Sequence, residues 1–520
     1  MSSVPFPRLR PGLGVLVPAI RLPGDYARAA HFRELAKDGA AGFLVFGGDD
    51  ELLPPFLQSL RDAAGRPLLF MSDTERGVGQ QVAGCLDLPP LLAVGATFSE
   101  ERAYQHGRTT GIEARAMGIN MVLAPVADVL SLGSNPIIGN RSFGSNPDLV
   151  AKLVAAWVAG AQEQGVLACA KHFPGHGDTA ADSHADLPVV GADAELLQRR
   201  ELRPFQAAVA AGVGAIMTAH VVYPALDPSP RLPATLSRPI LVDLLRDKVG
   251  FGGLVLSDAL TMEGVLMAGE GASRISEAEA AVRSIAAGCD LLLHPTEPYE
   301  VASALEKAVA EGRIELMSID GRLQLTLADL AVESPEVQSM RAEHLYAAFG
   351  LARDSLTVLR NDAGLLPIVA GKPRVFALLV DDDDDPRREE PFRERASDFR
   401  GGMVRRAPES PAALDSEILR LAEDADLVFL AVACSIRAYK GRAGLDARLV
   451  RLVSQVLHLA PRKTAAVLLT APGAIADVDP APTTLVAAWG DAPVCVRAAI
   501  DVVLSGGPLR GLDPSGPAAV

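Results

Sequence analysis

GVLACAKHF, residues 165–173, runs through six small or apolar residues and then reaches a lysine and a histidine before its final phenylalanine. A run without polar alternation is the pattern of a strand buried on both faces, as in a parallel sheet. Seven more runs share it: GLGVLVPA (12–19), AGFLVFGG (41–48), PLLFMSD (67–73), NMVLAPVAD (120–128), AIMTAH (215–220), GLVLSDAL (253–260) and DLLLHP (290–295). Helical patterns lie between them, over 149–163 and in LLQRRELRPFQAAVAAG (196–212). Eight strand-and-helix units over about 300 residues predict a (β/α)8 TIM-type barrel. In such barrels the chemistry sits where strands end at the C-terminal face. Polar residues fall at those ends here: Asp73, Asp128, Lys171 with His172, His220, Asp258 and His294. That placement predicts an enzyme.

The pattern restarts after about residue 345. RVFALLV (374–380), DLVFLAVAC (426–434), TAAVLLTAPG (464–473) and TLVAAWG (484–490) read as strands, with helical patterns at 414–424 and 445–460. The expected organisation is a barrel over residues 1–345 and a smaller α/β sandwich domain with a parallel sheet over 346–520. The acidic run DDDDDPRREE (381–390) reads as a solvated loop, because like charges repel and stay wet.

The chain has 520 residues and a net charge of −15, with no basic block. This argues against nucleic acid or an anionic membrane as partner and leaves a small-molecule or oligosaccharide substrate. Five cysteines, an odd number with no close pair, read as buried free thiols. Arg8 and Arg10 precede GLGVLVPAI, but Arg21 closes that run without a small-residue cleavage site, so it reads as a first core strand. With no run of about 20 apolar residues, the expected location is cytoplasmic.

KHFPGHGDTAADSHAD, residues 171–186, concentrates three of the nine histidines beside three aspartates and a lysine. His172 and His176 are four apart, but Pro174, Gly175 and Gly177 oppose a helix, so the helical zinc spacing fails. Asp182 and His184, two apart, suit a proton relay, in which the carboxylate holds the imidazole's tautomer. Asp258 ends an apolar strand. Its carboxylate there is either a working group or a cap for a helix near 261–265.

These residues resemble the β-N-acetylglucosaminidases of glycoside hydrolase family 3. KHFPGHG followed by DSH is a long, ordered signature. APVADV (124–129), NRSFG (140–144), MTAH (217–220), SDAL (257–260) and AGCDLLL (287–293) agree with it, and DSLTVLRNDAGLLPI (354–368) resembles the start of the family's second domain. The resemblance implies a retaining exo-β-N-acetylglucosaminidase acting on terminal β-linked N-acetylhexosamine, including peptidoglycan fragments. Asp258 would be the nucleophile, His184 the acid/base and Asp182 its partner. Asp73, Arg141, Lys171 and His172 would hold the sugar. No metal and no cofactor are implied. The histidine stands where most retaining glycosidases use a second carboxylate. A neutral imidazole does not repel an anion, so a β-glycoside phosphorylase is an alternative, as are a β-glucosidase-like hydrolase and a non-catalytic sugar-binding protein. DTERGVGQQV (73–82) departs from the family: Gln81 stands where a sugar-contacting arginine is usual.

Overall fold

The computed structural model describes residues 9–269, 271, 273–316, 337–368, 373–436, 440 and 442–516. The chain forms two compact units that interleave in sequence. One takes Met1–Leu86, Ala103–Val129 and Val150–Arg341; the other takes Asp87–Arg102, Leu130–Leu149 and Ala342–Val520.

The first unit is a parallel barrel. Its strands are β1 (Leu16–Val17), β2 (Ala19–Arg21), β3 (Gly42–Phe46), β4 (Leu69–Ser72), β5 (Met121–Val122), β6 (Leu167–Phe173), β7 (Ala215–Thr218), β8 (Leu254–Ala259) and β9 (Leu291–Leu293). All eight apolar runs contain strand. The first is divided in two at Pro18, which has no N–H for a ladder. Leu16–Val17 pairs with Leu292–Leu293, while Ala19–Arg21 pairs with Leu44–Phe46. That division joins the last strand to the first and nearly closes the sheet. Alternate residues such as Leu69 and Met71, or Leu254 and Leu256, fill the interior with Val17, Leu44, Met121, Cys169, Met217 and Leu293.

The second unit holds β10 (Thr357–Asn361), β11 (Val375–Asp381), β12 (Met403–Arg406), β13 (Leu427–Ala433), β14 (Thr464–Leu468) and β15 (Thr484–Ala487). Their order is β10-β15-β14-β13-β11-β12. Five strands are parallel, but β10 runs antiparallel to β15, so the sheet is mixed where a parallel one was expected. Strand β10 reads TVLRN, with one fully buried residue, and carries no apolar run to announce it. Helices Ala413–Asp424 and Ala447–Leu459 cover the sheet through Ile418, Ala422, Leu449, Leu452 and Val456.

The acidic run is wet only in part, with its first acids held inside. Asp381 and Asp382 are buried, the side chain of Asp383 is 3% exposed, and the three face Arg388, Arg405, Lys440 and Arg442. Arg388 of the run itself and cations from two later segments, Arg405 and then Lys440 with Arg442, neutralise these acids. The cysteines do read as expected. All are free, four are buried, and burial pushes the Cys169 and Cys85 thiols up to about 12. No helix among the described residues is long and apolar enough to cross a membrane.

Candidate active site

The C-terminal ends of β4, β6 and β8, with the loop after β6, gather most of the polar residues singled out in the sequence. Lys171, 2% exposed, bridges Asp73 and Glu75 at 2.7 Å each. Burying an ammonium is costly unless it is paired, and two carboxylates meet that cost. The side chain of Asp73 stays 30% exposed, so the pair is open on one side.

His172 is skipped by the β6–β7 ladder, which pairs Lys171 with Met217 and then Phe173 with Thr218. Asp128 takes the displaced residue. Its carboxylate accepts from the His172 backbone N–H at 3.1 Å, from His172 Nδ1 at 2.8 Å and from the His176 N–H at 2.7 Å. Asp128 thus ties the strand end to the loop that follows it.

In that loop both His176 ring nitrogens are engaged, Nδ1 with Thr179 Oγ1 at 2.8 Å and Nε2 with Ser183 Oγ at 2.9 Å. His176 therefore braces the loop. The His172 and His176 rings lie 5.7 Å apart, edge to face, each committed to other partners. Among the described residues no group of three His, Cys, Asp or Glu is placed to hold a metal ion.

Further along, Asp182 Oδ1 accepts from His184 Nδ1 at 2.8 Å and from the His184 N–H at 2.9 Å. Asp182 is buried and the His184 ring is 26% exposed. Nδ1 therefore carries the proton that binds the carboxylate. The loop is tied to the segment after β8: Gly264 N–H donates to Ser183 O at 3.0 Å and Glu263 N–H to His184 O at 3.4 Å.

Asp258 ends β8. It does not cap the next helix, Glu263–Leu266, whose N-cap is Met262. Its Oδ1 accepts from the Ala259 N–H at 2.7 Å. Burial pushes the carboxyl up. His220, His172 and His184, with the Ala259 amide, outweigh burial and hold it at about 2. An anion at this position is a ready nucleophile. His220 supports the strand end through Nε2, which donates to the Ala259 carbonyl at 3.1 Å, while Nδ1 meets Thr235 Oγ1 at 2.7 Å. Burial lowers its pKa, and Asp258 opposes that shift.

Asp73, Lys171, His172, Asp182, His184 and Asp258 thus all belong to the barrel unit. Arg141 belongs to the other unit. It ends the 3-10 turn Gly139–Arg141 and donates through Nη1 to the Ile137 carbonyl at 2.7 Å. Gln81 accepts from the Gly47 N–H through Oε1 at 3.4 Å. Three supporting residues had no assigned role from sequence: Glu75, Asp128 and His220. Asp128 and His220 carried the signal of a polar residue at a strand end; Glu75 had only its place beside Asp73.

A parallel barrel with polar groups gathered at the C-terminal strand ends is the arrangement of a barrel enzyme. Residues 55–327 match the model of the glycosyl hydrolase family 3 N-terminal domain. The chain belongs to this family, and it is a glycoside hydrolase. A β-hexosaminidase of Thiobacillus denitrificans is 35% identical over 349 residues, 64% of this chain and 92% of the relative. A β-hexosaminidase of Stenotrophomonas maltophilia is 36% identical over 284 residues, 52% of this chain and 82% of the relative. Among solved structures, a family 3 β-N-acetylglucosaminidase from Paenibacillus sp. strain FPU-7 superposes with a TM-score of 0.85 at 27% identity, covering 98% of this chain and 99% of that one.

Proposed function

We propose that this protein is a retaining exo-β-N-acetylglucosaminidase that removes terminal β-linked N-acetylglucosamine, with cytoplasmic peptidoglycan fragments as the natural source. Asp258 attacks the anomeric carbon as the bond to the leaving oxygen breaks. His184 gives its Nε2 proton to that oxygen, leaving a glycosyl–Asp258 ester. The neutral imidazole then takes a proton from water, which attacks the same carbon and releases Asp258. Asp182 holds the imidazole through Nδ1 in both steps. Asp73, Lys171 and His172 hold sugar hydroxyls, and Arg141 is the fourth residue assigned to that task. One observation carries the reading: the Asp182–His184 pair rides a loop hydrogen-bonded to the segment that follows an ionised Asp258.

The imidazole itself favours a second reading. It would not repel an anionic acceptor as a carboxylate would, so phosphate could replace water in the second step. A panel of aryl β-glycosides, run with and without phosphate, tests both. Free N-acetylglucosamine released first as the β-anomer at a phosphate-independent rate supports the hydrolase. A sugar 1-phosphate would replace it with the phosphorylase, and an initial α-anomer would overturn the double displacement.

A further inference from the structure

The proposed sugar contacts of the barrel unit and the nucleophile end strands β4, β6 and β8. The remaining arc of the mouth, from β9 through β1 and β2 to β3, carries a second arrangement. Arg21 ends β2 and lies in register with Phe46, which ends β3. Its guanidinium sits 4.7 Å from the centre of the Phe46 ring. Nη2 donates to His294 Nε2 at 3.1 Å. His294 follows β9, and its Nδ1 meets Thr261 Oγ1 at 3.1 Å, three residues after Asp258.

These contacts assign the protons. An arginine can only donate, so His294 Nε2 accepts and Nδ1 carries the hydrogen that reaches Thr261. The ring is neutral; burial, then Arg21, lowers its pKa. His294 also holds a left-handed backbone, φ 56°, which a residue with a Cβ adopts at a cost. Arg21 is thus fixed from two sides, by a ring face and by an imidazole, yet neither is an anion. Asp25, the nearest acid in sequence, accepts the Arg21 backbone N–H and pairs with Arg28 instead. Among the described residues no carboxylate pairs with this guanidinium, and Arg21 is exposed. A guanidinium held in place with donors to spare is preorganised for the paired oxygens of an oxyanion.

We propose that Arg21, braced by Phe46 and His294, anchors an oxyanion-recognising subsite beside Asp258. The ligand chemistry is a carboxylate or phosphate group. It arrives either on the substrate's leaving portion or as free inorganic phosphate. The inference rests on the glycosidase reading above and deepens it by naming an acidic substituent as a determinant of selectivity.

The test compares two aryl β-N-acetylglucosaminides of matched leaving-group acidity, one neutral and one bearing a ring carboxylate. In Arg21→Ala the ratio of kcat/KM, charged over neutral, should fall at least tenfold, with partial recovery in Arg21→Lys. A second arm measures the response of the neutral substrate's rate to inorganic phosphate. A response present in the wild type and lost in Arg21→Ala identifies phosphate as the ligand. An unchanged ratio together with an unchanged phosphate response overturns the subsite. If the wild type turns over neither glycoside, the glycosidase reading has failed and the subsite is judged by calorimetry. Binding of inorganic phosphate or of the carboxylated glycoside weakened tenfold in Arg21→Ala then supports it, and equal affinity overturns it.

Discussion

Both units place acids at the C-terminal ends of buried parallel strands, and the two groups are built on opposite plans. In the second unit Arg388, 4% exposed, pairs with Asp381, Asp383 and Asp491, Arg405 with Asp381 and Asp384, Lys440 with Asp382 and Asp383, and Arg442 with Asp382. Every buried acid there faces a cation. In the barrel, Asp73 and Glu75 both pair with Lys171, and the acid beside His184 faces an imidazole. Asp258 has a backbone amide and three imidazoles around it, and no lysine or arginine pairs with it among the described residues. A closed network has its charge already answered and holds the fold together. An open one keeps charge available for a substrate.

That contrast can be broken by substitution. Asp258→Ala should lower kcat on an aryl β-N-acetylglucosaminide by about 10⁴-fold or more with an unchanged circular dichroism spectrum. Because its carboxyl is held at about 2, Asp258 stays ionised throughout the working range. An acid limb in kcat/KM above pH 4 must therefore belong to another group. Full activity in the alanine variant would make the barrel acids structural after all.

Arg388→Ala should do the reverse. Removing the cation that Asp381, Asp383 and Asp491 share should cost about 3–5 kcal/mol in denaturant unfolding of the second unit. The pH dependence has a defined sign. Burial pushes the Asp383 carboxyl up, but the Ser435 amide and Lys440 outweigh it and hold it below its ordinary range. Stability from a depressed carboxyl is present above the ordinary pKa, about 3.9, and lost as pH falls below it. The wild-type advantage over Arg388→Ala should then shrink below pH 4. An advantage constant to pH 2 would show that the network is not electrostatic.

His184→Ala should lower kcat about 10²- to 10⁴-fold on poor leaving groups, with a smaller loss on nitrophenyl glycosides that need no proton. Equal losses on both would remove His184 from proton transfer. The smallest effect is expected at the edge of the closed network. Arg387 pairs with Asp385, but its side chain is 70% exposed. Arg387→Ala should cost less than about 1 kcal/mol, and a loss near that of Arg388→Ala would blur the distinction between wet and buried pairs.

The strand-forming runs were legible because burial on both faces needs unbroken apolar sequence, and all eight barrel runs carry strand. Strand ends were legible for the same reason: Asp73, Lys171, His172, His220 and Asp258 interrupt apolar runs at one end. The Asp-Ser-His spacing pointed to a local hydrogen bond, and the bond is there at 2.8 Å. What could not be read was any partner drawn from a distant segment. Asp128 clamps His172 across 44 residues, Glu75 meets Lys171 across the sheet, and Arg388 reaches Asp491 over 103 residues. The acidic run misled for that reason: the cations that neutralise Asp381, Asp382 and Asp383 include Arg405, Lys440 and Arg442 from later segments. Local sequence determined which segments are buried and where polar groups interrupt them, because hydrophobic periodicity is a property of neighbours. Which acid is answered by a cation and which is left open depends on charges brought together through space, and only the tertiary structure decided that.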